Sequence, residues 1–138
     1  MVKMPEELLK MIKEKHIAAL ATVGPDGVPN VSPKGFTYLD EETLAYVDIY
    51  SARTLSNIRA NPRVAVAIWD NESVSGFQVK GVASLHGPGD PAYEEVVARY
   101  IRAHHPGGRD VPEHMTVVTI RVEEVYSLKP EDRGKRVA

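Results

Sequence analysis

Residues 48–54 carry side chains that bind anions, at a point where an apolar, strand-like run changes to a helical spacing. Ser51 and Thr54 supply hydroxyl groups, and Arg53 supplies a guanidinium that can donate two parallel hydrogen bonds to a phosphate. The free backbone N–H groups and the dipole of a helix start also favour an anion. This segment is therefore a candidate site for a phosphate monoester. The alternative is that Ser51 only caps the helix and Arg53 is solvated.

A second set of polar residues lies on the strand that the pattern predicts for residues 28–39. Because side chains alternate with a period of two, one face of this strand carries Asn30, Ser32, Lys34 and Phe36. A lysine in the middle of a strand between apolar strands is costly unless it is paired or hydrated. Lys34 could therefore meet the same phosphate as Arg53, or donate to an electron-accepting ring, and Gly35 would let a flat ring approach the backbone. The alternative is an outward-facing, solvated strand surface.

The elements that would position these residues follow from the hydrophobic periodicity. It predicts helices over residues 5–15, 51–60 and 91–104, and strands over residues 16–23, 28–39, 43–49, 63–70, 74–86 and 115–128. Tight turns such as GPDG at residues 24–27 join consecutive strands, which indicates antiparallel pairing. Six such strands can close into a small barrel without open edges. The absence of β-α-β alternation argues against a doubly wound nucleotide-binding fold.

The fold class is therefore mainly β, a six-stranded antiparallel barrel with flanking helices, formed by residues 1–138 as a single domain. We expect the charged segment at residues 129–138 to be a mobile, solvated end. The net charge of −2 and the isoelectric point near 6.2 argue against nucleic acid as a partner. No apolar run approaches the roughly 18 residues of a membrane span. The chain contains no cysteine, which suits a cytoplasmic location.

Four short runs, in their order and spacing, are similar to sequences of the pyridoxamine 5′-phosphate oxidase-like FMN-binding split-barrel family. They are PNVSPKGF at residues 29–36, SARTL at 51–55, NPRV at 61–64 and FQVKG at 77–81. The resemblance covers roughly residues 10–128. It implies a six-stranded Greek-key split barrel that works as a homodimer with FMN near the interface.

The resemblance also implies which residues hold the FMN. They are Arg53 and Thr54 at the start of the middle helix, which join Ser51 as phosphate-binding candidates, Ser32, Pro33, Lys34 and Gly35 on the second strand, and Asp48, Ile49 and Tyr50 at the end of the third strand. The last group would offer backbone groups to the edge of the isoalloxazine ring. Gln78, on the fifth strand, is a further candidate for contact with the ring. No residue stands out as a general acid or base.

The resemblance implies an FMN-dependent oxidoreductase or electron carrier. Residues 129–136 differ from the arginine- and tryptophan-bearing C-terminal segment of true vitamin B6 oxidases, so pyridoxamine phosphate is not the expected substrate. The same fold could instead bind a deazaflavin or heme, or serve as a ligand-free dimeric interaction module. The sequence does not identify the redox partner. No metal is expected, because His104, His105 and His114 flank a Pro-Gly-Gly loop without a fixed ligand spacing.

Overall fold

Six antiparallel strands close into a barrel in the computed structural model, which describes residues 1–138. The strands are β1 (Ile17–Val23), β2 (Pro29–Asp40), β3 (Thr43–Asp48), β4 (Arg63–Asp70), β5 (Ser75–His86) and β6 (Thr116–Ser127). Around the barrel their order is β1-β2-β3-β6-β5-β4, and β4 pairs back with β1. This architecture confirms the mainly β, six-stranded antiparallel split barrel with flanking helices that the turns and the alternation predict.

Three helices flank the barrel: α1 (Glu6–Lys15), α2 (Arg53–Ala60) and α3 (Pro91–His104). α1 has acidic residues in its first turn and lysines in its last turn, which complements the helix dipole. α3 is capped by Asp90, whose side chain accepts a hydrogen bond from the Ala92 N–H. No helix in the chain combines the length and the apolar character that crossing a membrane requires.

The junction between β3 and α2 differs slightly from the prediction. α2 begins at Arg53 rather than at Ser51, and β3 ends at Asp48 rather than at residue 49. Ser51 does not cap the helix, because its backbone N–H and its hydroxyl both donate to the carboxylate of Asp48. These two bonds hold the turn closed and set the start of α2 close to the end of β3.

The inward-facing side chains of the strands fill the barrel. Its largest fully buried residues come from several elements: Leu8, Leu20, Phe36, Leu44, Tyr46, Ile68 and Ile120. Phe36 and Tyr46, on neighbouring strands, meet edge to face with their ring centroids 5.2 Å apart. Phe77 also belongs to this core. The period of two that predicts each strand therefore corresponds to burial inside the barrel.

Part of the outer surface of the barrel is apolar and exposed. α3 packs on the outer side of β3 and β6, where Tyr93 contacts the cluster around Ala45. The outer side of β1, β2 and β4 is different, because Ile17, Val31 and Trp69 there are 61%, 67% and 52% exposed. Contiguous exposed apolar surface of this kind marks interaction sites.

The C-terminal segment folds back along β6. Residues 129–138 are mostly exposed, yet the Val125 N–H donates to the Ala138 carbonyl at 2.9 Å and the Ser127 N–H donates to the Lys135 carbonyl at 2.8 Å. The segment is thus tied to the sheet by backbone hydrogen bonds. This arrangement differs from the free end that its charged composition predicts, because backbone pairing does not depend on side-chain character.

Candidate functional site

The start of α2 packs against β1 and β2 through buried polar side chains. Thr54 and Asn57 are 3% and 5% exposed. The hydroxyl oxygens of Ser32 and Thr54 lie 3.4 Å apart, and Asn57 Nδ2 donates to Thr22 Oγ1 at 3.0 Å. The structure therefore brings together Ser32 and Thr54, two residues that the sequence places on separate elements.

Lys34 forms a nearly buried ion pair with Asp48. Its Nζ lies 3.5 Å from Asp48 Oδ2, and the two side chains are 15% and 1% exposed. Ser51 donates to the same carboxylate twice, from its backbone N–H to Oδ1 and from its hydroxyl to Oδ2. These donors satisfy a charge that would be costly to bury alone. The pairing also neutralises most of the positive charge that an unpaired Lys34 would present to an anion.

Tyr46 belongs to the same cluster, although no motif in the sequence points to it. It is 1% exposed, and its hydroxyl has no hydrogen-bond partner. Lys34 Nζ lies 5.7 Å from the centroid of its ring, within the range of a cation–π contact. Burial raises the pKa of the Tyr46 phenol, and the charge of Asp48 raises it further. The signal that could have found Tyr46 is the period of two, which puts it on the same face of β3 as Asp48.

Arg53 lies at a cleft beside this cluster. The residue is exposed and forms no salt bridge with another side chain. The cleft, of about 490 Å³, is also lined by Asn30, Asn57 and the turn between β1 and β2. Asn30 is next to Ser32 on the inner face of β2, so the cleft adjoins the contact between Ser32 and Thr54. Its volume falls within the range of small-molecule sites, roughly 300–1,000 Å³.

Three of the candidate residues face away from this cluster. Pro33 and Gly35 alternate with the inward-facing residues of β2 and lie on the outer side of the barrel. Gln78 is on the outer side of β5, where it is paired with Ala67 of β4. Ala67 is paired with Ala19 of β1, which is paired in turn with Pro33 of β2. Gln78 and Pro33 are therefore separated by three strand spacings of about 4.8 Å each. Within one chain, Gln78 is therefore not brought together with Lys34 or Arg53.

The remaining candidates lie in the turn between β3 and α2 and on the outer face of β2. Tyr50 is 92% exposed and Ile49 is half-buried. A Cβ placed on Gly35 would meet only Ile17 Cδ1, at 3.9 Å, which is an ordinary contact. The packing of the chain itself therefore does not require glycine at position 35, and the surface above it is open.

The barrel and this cluster define the class of protein: the chain belongs to the pyridoxamine 5′-phosphate oxidase family, whose family model matches residues 4–129. Among its relatives, an uncharacterized protein of Methanocaldococcus jannaschii is 33% identical over 141 residues, covering 99% of this chain and 89% of that protein.

Solved structures share the whole fold. HupZ of Group A Streptococcus is 26% identical, with full coverage of both chains (100% each) and a TM-score of 0.80. A candidate pyridoxamine 5′-phosphate oxidase of Lactobacillus delbrueckii is 30% identical, covering 90% of this chain and 93% of that chain, with a TM-score of 0.72. The heme storage protein HutZ of Vibrio cholerae, at 20% identity, and an F420 reductase, at 23%, share the fold alone.

The donor set of the cluster fits a phosphate monoester such as that of FMN. Arg53 supplies a guanidinium that forms no salt bridge, in a cleft that Asp26, Asn30 and Asn57 also line. The hydroxyl groups of Ser32 and Thr54 do not line this cleft themselves but meet next to it, on β2 and at the start of α2. The residues present are therefore compatible with a phosphate-bearing flavin.

Proposed function

We propose that this chain is a cytoplasmic FMN-binding homodimer that works as an oxidoreductase or electron carrier. When bound, FMN supplies the hydride and electron transfer, so the protein has to hold the ring, orient it and tune its potential. The observation that carries the proposal is the junction of β2 and α2. There the hydroxyl groups of Ser32 and Thr54 lie 3.4 Å apart, beside a cleft lined by the unpaired Arg53.

Four residues of this junction are the proposed phosphate-binding residues: Ser32, Lys34, Arg53 and Thr54. Arg53 donates from its guanidinium, and Ser32 and Thr54 donate from their hydroxyl groups. Lys34 is close to neutral overall while it pairs with Asp48, so Arg53 provides most of the attraction for the incoming anion. The backbone groups of residues 48–50 face the edge of the ring in this proposal.

The exposed apolar face of β1, β2 and β4 supports the homodimer. A second copy related by a two-fold axis is the commonest way to cover such a face, and Ile17, Val31 and Trp69 would become buried in it. Pro33 and Gly35 lie on this face, and Gln78 lies next to it on the outer side of β5, opposite Ala67 of β4. In such a dimer the inner cluster of one chain would hold the flavin phosphate, and the residues of the covered face would be available to the ring.

Heme and deazaflavin are the competing ligands for this fold. Heme iron is held by an axial histidine, methionine, cysteine or tyrosine. None of these four residue types lines the cleft beside Arg53. The site therefore favours a flavin over heme. A deazaflavin is the closer competitor, because the donors at the junction recognise a phosphate rather than the ring.

An absorbance spectrum and ligand titrations test this function. We expect the purified protein to be yellow, with a band at about 450 nm from the bound flavin cofactor, or to bind added FMN more tightly than riboflavin, heme or F420. Arg53→Ala should weaken FMN binding by about 1.5–3 kcal/mol, whereas Arg59→Ala, at an exposed position of the same helix, should leave it unchanged. A colourless protein that ignores FMN, or equal affinities for Arg53→Ala and wild type, would contradict the proposal and favour a ligand-free interaction module.

A further inference from the structure

Two side-chain oxygens converge beside Gly24, in the cleft that Arg53 lines. A Cβ placed on Gly24 would lie 3.0 Å from Asn57 Oδ1 and 2.9 Å from Asp26 Oδ1. Asn57 is 5% exposed, and its Nδ2 already donates to Thr22 Oγ1 at 3.0 Å. Its Oδ1 receives no hydrogen bond from the chain, although nearly all buried polar side-chain atoms have a partner. This end of the cleft therefore offers acceptors to a ligand that carries donors.

Arg53 gives the same cleft the opposite chemistry. Its guanidinium is a donor to phosphate, and it lies with Asp26, Asn30 and Asn57 around a space of about 490 Å³. Arg53 forms no salt bridge with Asp26 or with any other carboxylate. A ligand that suits both ends of the cleft carries a phosphate together with hydroxyl groups, which donate to carboxylate and amide oxygens. A ribose phosphate has this combination.

The order of the residues along β2 indicates on which side of the flavin phosphate this cleft lies. In the proposed function the ring lies toward Gly35 and the phosphate lies at Ser32. Asn30, which lines the cleft, comes next in the same direction along the strand. At about 3.3 Å per residue, Asn30 is about 17 Å from Gly35. FMN ends at its phosphate and would leave the cleft unfilled, whereas a dinucleotide continues into it.

We propose that this cleft holds the ribose of a nucleotide joined to the flavin through its phosphate, so that FAD is preferred over FMN. This inference rests on the proposed function, because it takes the flavin phosphate to lie at the junction of β2 and α2. Asp26 and Asn57 accept from the ribose hydroxyls, as acidic residues do in other dinucleotide sites, and Arg53 donates to the phosphates. The apolar lining left for the base consists of Pro25, Val28 and Pro29.

The charge of Asp26 distinguishes this ligand from a deazaflavin with an acidic tail. One Asp26 oxygen accepts from the Val28 N–H at 3.1 Å, which leaves the other oxygen for a ligand. Ribose hydroxyls gain a hydrogen bond to a charged acceptor there. F420 carries carboxylates beyond its phosphate, and these are repelled by Asp26. The cleft therefore suits FAD better than F420.

Calorimetric titrations of the wild type and Asp26→Asn with FAD, FMN and F420 test the inference. The wild type should bind FAD about tenfold more tightly than FMN, which corresponds to roughly one hydrogen bond to a charged group. Asp26→Asn keeps an oxygen for the Val28 N–H but loses the charge, so its FAD affinity should fall about fivefold while its FMN affinity does not fall. Asp40→Asn is the matched control, because Asp40 accepts from the Glu42 N–H at 2.8 Å in the same way at the other end of β2, and it should alter neither affinity.

Gly24→Ala is a second, independent variant. Its methyl group would occupy the point where the oxygens of Asp26 and Asn57 converge, so the preference for FAD over FMN should disappear while FMN binding persists. Equal affinities of the wild type for FAD and FMN, tighter binding of F420 than of FAD, or equal losses for FAD and FMN in Asp26→Asn would each overturn the inference and leave the proposed function standing. A wild-type protein that binds neither FAD nor FMN would instead overturn the proposed function itself.

Discussion

Lys34 Nζ lies 3.5 Å from Oδ2 of Asp48, and the two side chains are 15% and 1% exposed. The pair joins neighbouring strands, β2 and β3, at the edge of the barrel core. Ser51, which precedes α2, donates to the same carboxylate. One carboxylate thus connects the two strands and the helix start that surround the proposed phosphate site. The position of α2 and the net charge of the proposed site therefore both depend on the carboxylate of Asp48.

Lys34→Met should destabilise the fold by about 3–5 kcal/mol, because it leaves a buried carboxylate without its cation. The free energy of unfolding in urea measures this loss. Lys10→Met, on an exposed lysine of α1 whose side chain is 76% accessible, should change stability by no more than about 0.5 kcal/mol. Adding Asp48→Asn to Lys34→Met should restore much of the loss, since the uncompensated charge is removed. No recovery in the double variant would show that Lys34 contributes through packing alone.

The sequence alone was sufficient for the elements of the fold, and it also singled out some of the residues that the structure brings together. Alternation located all six strands, and the tight turns predicted their antiparallel order. The face of β2 that carries Ser32 and Lys34, together with Thr54 at the helix start, pointed to the region where the structure brings Ser32 and Thr54 within 3.4 Å. These features are local, or follow from the period of two, and so they can be recognised in one strand or one helix start at a time.

Contacts between elements could not be predicted in the same way. The pairing of Lys34 with Asp48 depends on the register of β2 and β3, which contains an irregularity between Tyr38 and Asp40. The orphaned hydroxyl of Tyr46 depends on how two aromatic rings pack across that register. The return of residues 129–138 along β6 rests on backbone hydrogen bonds, which leave no mark in a charged sequence.

Thr54→Val should weaken FMN binding by about 0.5–1.5 kcal/mol, the usual contribution of one hydrogen bond. Valine keeps the shape of the buried side chain but removes the hydroxyl that lies against Ser32. Ser56→Ala, at an exposed position on the same helix, is the control. Titration with FMN and with riboflavin separates a phosphate contact from a loss of stability. A riboflavin affinity that falls as much as the FMN affinity would mean that Thr54 supports the helix rather than the phosphate.

Trp69→Glu should convert the proposed dimer to a monomer at micromolar concentration. Trp69 is 52% exposed on the outer face of β4, and a charge there would have to be buried without a partner when a second copy docks. Sedimentation velocity gives the mass of both forms. Val74→Glu changes an equally apolar residue that is 59% exposed in the β4–β5 turn, and it should leave the mass unchanged. A monomeric wild type would remove the basis for placing the ring at an interface.

Asp90→Asn should destabilise the protein near neutral pH and lose this effect in acid. The Asp90 carboxylate is 3.0 Å from His86 Nδ1 and caps α3 by accepting from the Ala92 N–H at 2.9 Å. The hydrogen bond from His86, followed by that from Ala92, lowers the pKa of Asp90 below its ordinary value of 3.8. Because the folded pKa is the lower one, the ionised carboxylate adds stability above pH 3.8, and this contribution disappears as the pH falls through the folded value.

Urea unfolding of wild type and Asp90→Asn between pH 7 and pH 2.5 measures this dependence. The gap between the two proteins should be widest above about pH 5 and should close as the carboxylate becomes protonated in the folded state. Asp110→Asn, in the loop before β6, serves as the matched control for replacing a carboxylate with an amide away from α3. A gap for Asp90→Asn that persists undiminished at pH 2.5 would show that Asp90 acts through its shape at the helix cap and not through its charge.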